Sequence, residues 1–176
     1  METSIIIAGF GGQGVLFAGQ LLAYAGMGVG KNVTWIPSYG PEMRGGTANC
    51  TVIISDDPIG APIVAQADVV IALNQPSYDK YAPLVKRGGL LVINRSLVTS
   101  VCGRDDIETV YVSANAIAEE AGNAKLLNMA LLGAMLSKRP ILTLEQLEQA
   151  LVGHISSGKA HLTEMNMQVL RRGYTC

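Results

Sequence analysis

The sequence predicts an α/β fold, a single domain in which helices pack on the faces of a sheet. Three observations carry this. Short β-branched runs alternate with stretches of helical character along most of the chain. The first such run enters a glycine cluster and leaves it as a long apolar segment, "IAGFGGQGVLFAGQLLA". The length, 176 residues, suits one domain able to bury roughly 70% of its unfolded surface without disulfides.

Taken in order, "SIIIAG" (residues 4–9) is a buried strand, continuous, β-branched and stopped by glycine. From Gln13 to about Gly28 the pattern suits a helix, with Leu16, Leu21, Leu22 and Ala25 available to face a sheet. "VTWI" (residues 33–36) is a short second strand halted by Pro37, and a loop of special residues follows, "PSYGPEMRGG" (residues 37–46). "TANCTVIIS" (residues 47–55) is a third strand whose alternation marks one more exposed face, and "DDPIGAP" (residues 56–62) is a turn. "ADVVIAL" (residues 67–73) and "GGLLVINRS" (residues 88–96) are buried strands separated by a short helix over about residues 76–85. "ETVYVSA" (residues 108–114) is the last strand. Helices then take over in "NAIAEEAG", "AKLLNMALLGAMLSKR", "TLEQLEQALVGHI" and a final segment over about residues 159–172. Thr143, with Glu145 and Gln146 behind it, starts one of them after Pro140. This tail is too short and apolar to stand apart, so residues 1–176 read as one domain.

Composition excludes several functions. A net charge of −1, from 13 basic and 14 acidic residues, gives no footprint for nucleic acid or an anionic membrane. The longest apolar stretch, residues 15–30, is broken by Gln20 and four glycines and falls short of the ~20 residues of a membrane span. The first residues lack the pattern of a secretory signal, so a cytoplasmic location is expected. Cys50, Cys102 and Cys176 are isolated, and His154 and His161 have no ligand neighbours, so no metal site is expected. No nucleophile is paired with a base, and no catalytic residue is assigned. Charged residues are 15% of the chain, against about 25% in typical domains. So little charge leaves apolar surface for a protein partner.

Gly9, Gly11 and Gly14 fit G-x-G-x-x-G between a strand and a helix, with Gly12 and Gln13 inside the turn. In this Rossmann-like first βα unit the glycines permit a tight turn and let backbone N–H groups approach a phosphate at the helix start. The acidic residue that should follow by about 20 residues to hold a ribose is absent: no Asp or Glu occurs between Glu2 and Glu42. Val15 stands where a Walker lysine would be required. A structural turn, a dinucleotide and another phosphate-bearing group all remain open.

The second loop is more specific. "SYGPEMRGGTANC" sets Ser38, Tyr39, Glu42 and Arg44 among Gly40, Gly45 and Gly46, with Pro41 fixing one backbone angle. Loops leaving the first two strands of a doubly wound sheet share its carboxyl edge, so the two glycine-rich segments are expected to line one crevice. A surface turn in which Glu42 and Arg44 merely pair is the alternative.

Together, "GFGGQGVLFAGQLLA", "SYGPEMRGGTANC", "IGAPIV", "ADVVIALNQPSYDKY", "GGLLVINRSLV" and "NAKLLNMALLGAML" resemble the gamma subunit of the 2-oxoacid:ferredoxin oxidoreductases. The "YGPEMRGG" form is most like the 2-oxoglutarate and branched-chain types. The resemblance implies a mixed, mostly parallel sheet that curls towards a barrel. It also implies a non-catalytic subunit of a complex with alpha, beta and delta subunits and with ferredoxin as electron acceptor. Thiamine diphosphate, magnesium and [4Fe-4S] clusters are then held by the partners, and coenzyme A is received at a shared site near the glycine loops. Arg44 is the residue expected to meet a phosphate or carboxylate, with Glu42 orienting it. The competing readings are a free-standing NAD(P)-dependent oxidoreductase, resting on Gly9, Gly11 and Gly14, and an assembly scaffold.

Overall fold

The apolar run near the start of the chain becomes β1 (Glu2–Phe10), an interior strand of a six-stranded sheet. The computed structural model describes residues 1–39, 46–155 and 160–176. On one side of β1 stand β3 (Thr47–Ser55) and then β2 (Asn32–Tyr39). On the other stand β4 (Ala67–Ala72), β5 (Val85–Asn94) and β6 (Glu108–Val112). β1, β4, β5 and β6 pair in parallel, whereas β3 is antiparallel to both β1 and β2. The sheet is thus mixed and mostly parallel. It is open, with β2 and β6 as edges, so the curl towards a barrel does not reach closure.

Both faces of the parallel part are covered, which is why β1 is continuously apolar instead of alternating. Ile5 and Ile7 point to one side, joined by Val69 and Val92, under α1 (Val15–Gly28), α3 (Ala114–Glu120), α4 (Leu127–Lys138), α5 (Leu144–His154) and α6 (Ala160–Tyr174). Ile6 and Ala8 point to the other, beneath α2 (Gln75–Tyr81) and the irregular segment 95–107, which contributes Val98 and Cys102. Of the residues expected to turn α1 to the sheet, Leu21, Leu22 and Ala25 are buried, and Leu16 is partly so. α4 is buried on nearly its whole circumference, being wedged between the sheet and α6. Thr143 does start α5, in a reciprocal capping box with Gln146.

Several boundaries depart from the sequence reading. Pro37 does not halt the second strand; β2 runs through it to Tyr39. As an edge strand, β2 has one side free of pairing, and a residue without an N–H is tolerated there. Strand β5 begins at Val85, not Gly88: the β4–β5 register shifts between Ala67 and Val69, an irregularity that takes the glycine pair into the strand. The helix expected over 76–85 is α2 followed by a 3-10 turn, Ala82–Leu84. Similarly, α4 is preceded by a 3-10 turn, Ala124–Leu126. β6 stops at Val112 because Ser113 becomes the residue preceding α3. α1 starts at Val15, two residues after Gln13.

Asp68 ties the starts of β1, β4 and β5 together. It accepts the Ser4 N–H at 2.8 Å, the Ser4 hydroxyl at 2.7 Å and Lys86 Nζ at 2.9 Å. Burial pushes its carboxyl up, but the two Ser4 bonds and Lys86 outweigh this and hold it below the usual carboxylate range. A lowered folded value means stability present above the unfolded value, about 3.9, and lost as pH falls through the lower folded one. Urea midpoints should therefore drop between pH 6 and pH 3, and Asp68→Asn should shrink that drop. An equal drop in wild type and variant would show that Asp68 carries none of it.

Candidate functional site

At the carboxyl end of β1 the chain turns through Gly11, Gly12 and Gln13 into α1. Gly12 (φ 98°) and Gly14 (φ 75°) both adopt the left-handed conformation that side chains disfavour. Gln13 closes the turn from within. Its N–H donates to Phe10 O at 3.1 Å, and its Oε1 accepts from Phe10 N at 2.7 Å and from Asn74 Nδ2 at 2.9 Å. Asn74 follows β4 and caps α2 by accepting the Ser77 N–H. The Gln13–Asn74 bond thus joins the ends of two adjacent parallel strands whose helices depart to opposite faces. This is the topological switch point where open α/β sheets bind ligands.

Gly14 connects the turn to the far end of the chain. Its carbonyl accepts Asn128 Nδ2 at 3.0 Å, and Asn128 Oδ1 accepts the Met129 N–H at 3.1 Å. The first turns of α1 and α4 are thereby held side by side. In α1 the N–H groups of Val15, Leu16 and Phe17 have no carbonyl within the helix, and its first turn holds no acidic residue. Partial positive charge there is available to an anion.

The second loop reaches the same edge for a reason the doubly wound picture did not contain. β2 and β3 form an antiparallel pair, and β3 is antiparallel to β1, so β2 runs in the direction of β1. Gly46 O accepts the Gly11 N–H at 2.9 Å, so the described end of the second loop meets the first glycine turn. Gly40, Pro41, Glu42, Arg44 and Gly45 lie outside the described residues, as does the side chain of Tyr39.

A cavity of about 480 Å³ lies at this junction, lined by Phe10, Gly11, Gly12, Leu16, Phe17 and Ala48 among others, including Gly14 and Gly46. A second, of about 550 Å³, opens beyond Gly12, Gly14 and Phe17 and is bordered by Lys125, Asn128 and His154. Of the described residues predicted for the site, Gly9, Gln13 and Ser38 do not line these spaces. Gly9 is buried in β1, where a Cβ would lie 2.7 Å from Gln13 Oε1 and 2.9 Å from Val15 Cγ2, so it serves packing. Ser38 is exposed and pairs with Asn49, out of phase with the Cys50 position that packs under α1. Gln13 contributes by bracing the turn. Asn74, Lys125 and Asn128 were not singled out from the sequence. Asn128 alone carried a signal, as the one amide in the apolar run "LLNMALLGAML", because a buried amide requires partners.

The cavities hold little that could perform covalent chemistry. Among the described residues no carboxylate lines either one. Cys50, beneath α1, is fully buried, and burial pushes its thiol up to about 12, so it stays protonated. Among the described residues no cluster of His, Cys, Asp and Glu could hold a metal ion, and no helix is long and apolar enough to cross a membrane. The arrangement is suited to binding and orienting an anionic ligand with an apolar arm.

Residues 4–176 match the family model described as Pyruvate ferredoxin/flavodoxin oxidoreductase. The chain belongs to that family. Within the pyruvate ferredoxin/flavodoxin oxidoreductase family it is 37% identical over 172 residues to the ketoisovalerate oxidoreductase subunit VorA of Methanothermobacter marburgensis. That match covers 98% of this chain but 36% of VorA, so the chain spans about a third of that relative's length. It is 33% identical over 177 residues to the 2-oxoglutarate synthase subunit KorC of Methanocaldococcus jannaschii, covering 99% of this chain and 93% of KorC. Among solved structures it is similar to the gamma subunit of a keto/oxoacid ferredoxin oxidoreductase from Geobacter sulfurreducens, with a TM-score of 0.87, 30% identity and coverage of 99% and 95%. The fold also matches 2-oxoglutarate:ferredoxin oxidoreductase from Magnetococcus marinus, solved with 2-oxoglutarate, coenzyme A and succinyl-CoA bound. There the TM-score is 0.89 at 21% identity, over 99% of this chain and 30% of that one.

Proposed function

We propose that this chain is the non-catalytic gamma subunit of a 2-oxoacid:ferredoxin oxidoreductase of the 2-oxoglutarate type. In this reading it covers a thiamine diphosphate site built by alpha and beta subunits and helps receive coenzyme A. A delta subunit and the partners carry the [4Fe-4S] clusters and magnesium, ferredoxin takes the electrons, and the complex works in the cytoplasm. One observation carries the reading: the first glycine turn, hydrogen-bonded through Gly11 to Gly46 at the switch point, faces an apolar cavity with no carboxylate and no thiol among its described lining residues. Such a site can hold a ligand but leaves the difficult chemistry to a cofactor.

The residues present fit coenzyme A better than NAD. A phosphate group can be held by the free N–H groups at the start of α1. A ribose diol would require an acid, and the end of β2 supplies none. Coenzyme A, when bound, supplies the thiol that accepts the acyl group. The chain's own part is to bind its phosphates, orient its arm and exclude water. Arg44 is assigned a bidentate contact to phosphate or carboxylate, oriented by Glu42.

Purification of this chain from its native cell should recover alpha and beta partners with thiamine diphosphate. In that complex Arg44→Ala should raise the KM for coenzyme A about tenfold, with assembly intact. A chain that runs alone as a stable monomer, or a complex indifferent to coenzyme A, would refute the proposal. Calorimetric titration with NAD and NADP tests the rival oxidoreductase reading, for which binding in the micromolar to millimolar range is required.

A further inference from the structure

Asn94 ends β5 and is fully buried, next to the equally buried Leu91, Val92 and Ile93 of the same strand. An amide in such surroundings destabilises the fold unless its hydrogen-bonding groups find partners. Here they do. Asn94 Nδ2 donates to Leu73 O at 3.1 Å and to Asn115 Oδ1 at 2.9 Å, and Asn94 Oδ1 accepts the Ser96 N–H at 3.2 Å. The bond to Leu73 leads beyond β5. Leu73 follows β4, and its carbonyl belongs to the peptide plane that carries Asn74. The Leu73 N–H donates in turn to Ala8 O of β1 at 2.9 Å. The residue before Asn74 is therefore clamped between the ends of two strands, one on each side of β4.

We propose that Asn94 is a positioning residue for the glycine turn, acting from two strands away through Leu73, Asn74 and Gln13. This rests on the subunit reading above and adds to it a residue that touches neither the turn nor its cavities.

Each link is a bond whose geometry constrains the next. Gln13 Oε1 holds two donors, the Phe10 N–H and Asn74 Nδ2. Turning that amide over would set its NH2 group against both of them, so its orientation is fixed while Asn74 stays in place. Phe10 immediately precedes Gly11, whose N–H meets Gly46 O. If Asn74 shifts, Gln13 is free to turn, and the slack reaches Gly11 and Gly12. Asn74 has a second anchor, since its side chain accepts the Ser77 N–H and its backbone carbonyl accepts the Tyr78 N–H, both at 3.0 Å. Those bonds tie it to α2, a helix of seven residues on the opposite face. The tie to the sheet comes through Leu73, and Asn94 holds that carbonyl. A satisfied network of buried amides of this kind favours one arrangement of the chain over others.

The test is a double-substitution cycle in the complex purified with its partners. Asn94→Ala should raise the KM for coenzyme A about fivefold with kcat within about twofold, and Asn74→Ala should do the same. The double variant should be no worse than the more affected single one, because both break one chain of bonds. A merely structural asparagine would lower the urea midpoint and leave KM unchanged. Should Asn94→Ala fail to fold, Asn115→Ala removes only the acceptor that orients Asn94, at a partly exposed position, and should raise KM about twofold. The full chain by itself gives a readout that needs no ligand: the Gly11 and Gly12 amide resonances should move in Asn94→Ala as they do in Asn74→Ala. Additive KM effects, or resonance shifts confined to the neighbours of Asn94, would overturn the proposal and show that the α2 cap alone holds Asn74. A complex that turns over without coenzyme A would instead defeat the reading on which the kinetic arm rests, and the glycine resonances would still decide the role of Asn94.

Discussion

Gly173→Val is expected to be the most damaging single substitution in the molecule, lowering the unfolding free energy by about 3 kcal/mol. Helices α4 and α6 cross where Gly173 meets Ala130 and Gly133 meets Leu170. A Cβ at Gly173 would overlap the Ala130 carbonyl oxygen and lie 2.6 Å from its carbon. At Gly133 the reciprocal overlap is with the Leu170 oxygen, and Tyr174 N is 2.6 Å away. The obstacle in both cases is backbone, which cannot rotate aside as a flexible side chain can. Separating the helices would loosen α4, whose Met129, Leu131, Leu132 and Leu136 are almost fully buried. Urea unfolding of wild type and variant measures the effect, and a change below about 0.5 kcal/mol would show that the crossing is slack.

The second large effect is expected at Gly14→Ala, in stability and in binding together. The left-handed backbone at φ 75° costs an alanine about 1–2 kcal/mol. The new methyl would also overlap the Asn128 side chain, whose bond to the Gly14 carbonyl joins the first turns of α1 and α4. Losing that bond costs about 1 kcal/mol more, and Gly14 lines both cavities. In the complex the KM for coenzyme A should rise at least about tenfold. Gly60→Ala is the matched control, since a Cβ there meets open space without a positive φ. Equal behaviour of the two variants would mean that the turn tolerates a side chain and that its geometry does not govern the site.

Both substitutions alter glycines, yet they were legible to different degrees. Gly14 announces itself through its neighbours, because a glycine cluster between a strand and a helix has few physical explanations. Gly133 and Gly173 carry no such local signal. Their meaning lies in a contact between segments about 40 residues apart, visible only once α4 and α6 are packed. The same division runs through the site. Gly11, Gly12 and Gly14 were readable, and the structure puts them on the cavity walls. Gly9 belongs to the same motif but faces Val15 and Leu73 in the interior, a role the spacing cannot distinguish. Lys125 and Asn128 stand more than a hundred residues from the turn they border, and nothing near them in the chain signals that contact.

Local pattern determined the strands and helices, the α/β class, the first glycine turn and the poverty of catalytic groups. Each of these follows from side-chain periodicity, backbone freedom and residue inventory within a short window. Strand direction was left to the tertiary structure. An antiparallel β2–β3 pair buries the same faces as a parallel one would, so burial pattern alone could not choose between them, and ladder pairing did. That choice brings the second loop back to the first, where Gly46 accepts the Gly11 N–H, and the packing of α4 on α1 places Lys125 across the turn. Such contacts are gained only when distant segments close upon one another, and their energies have no counterpart in a local stretch of chain.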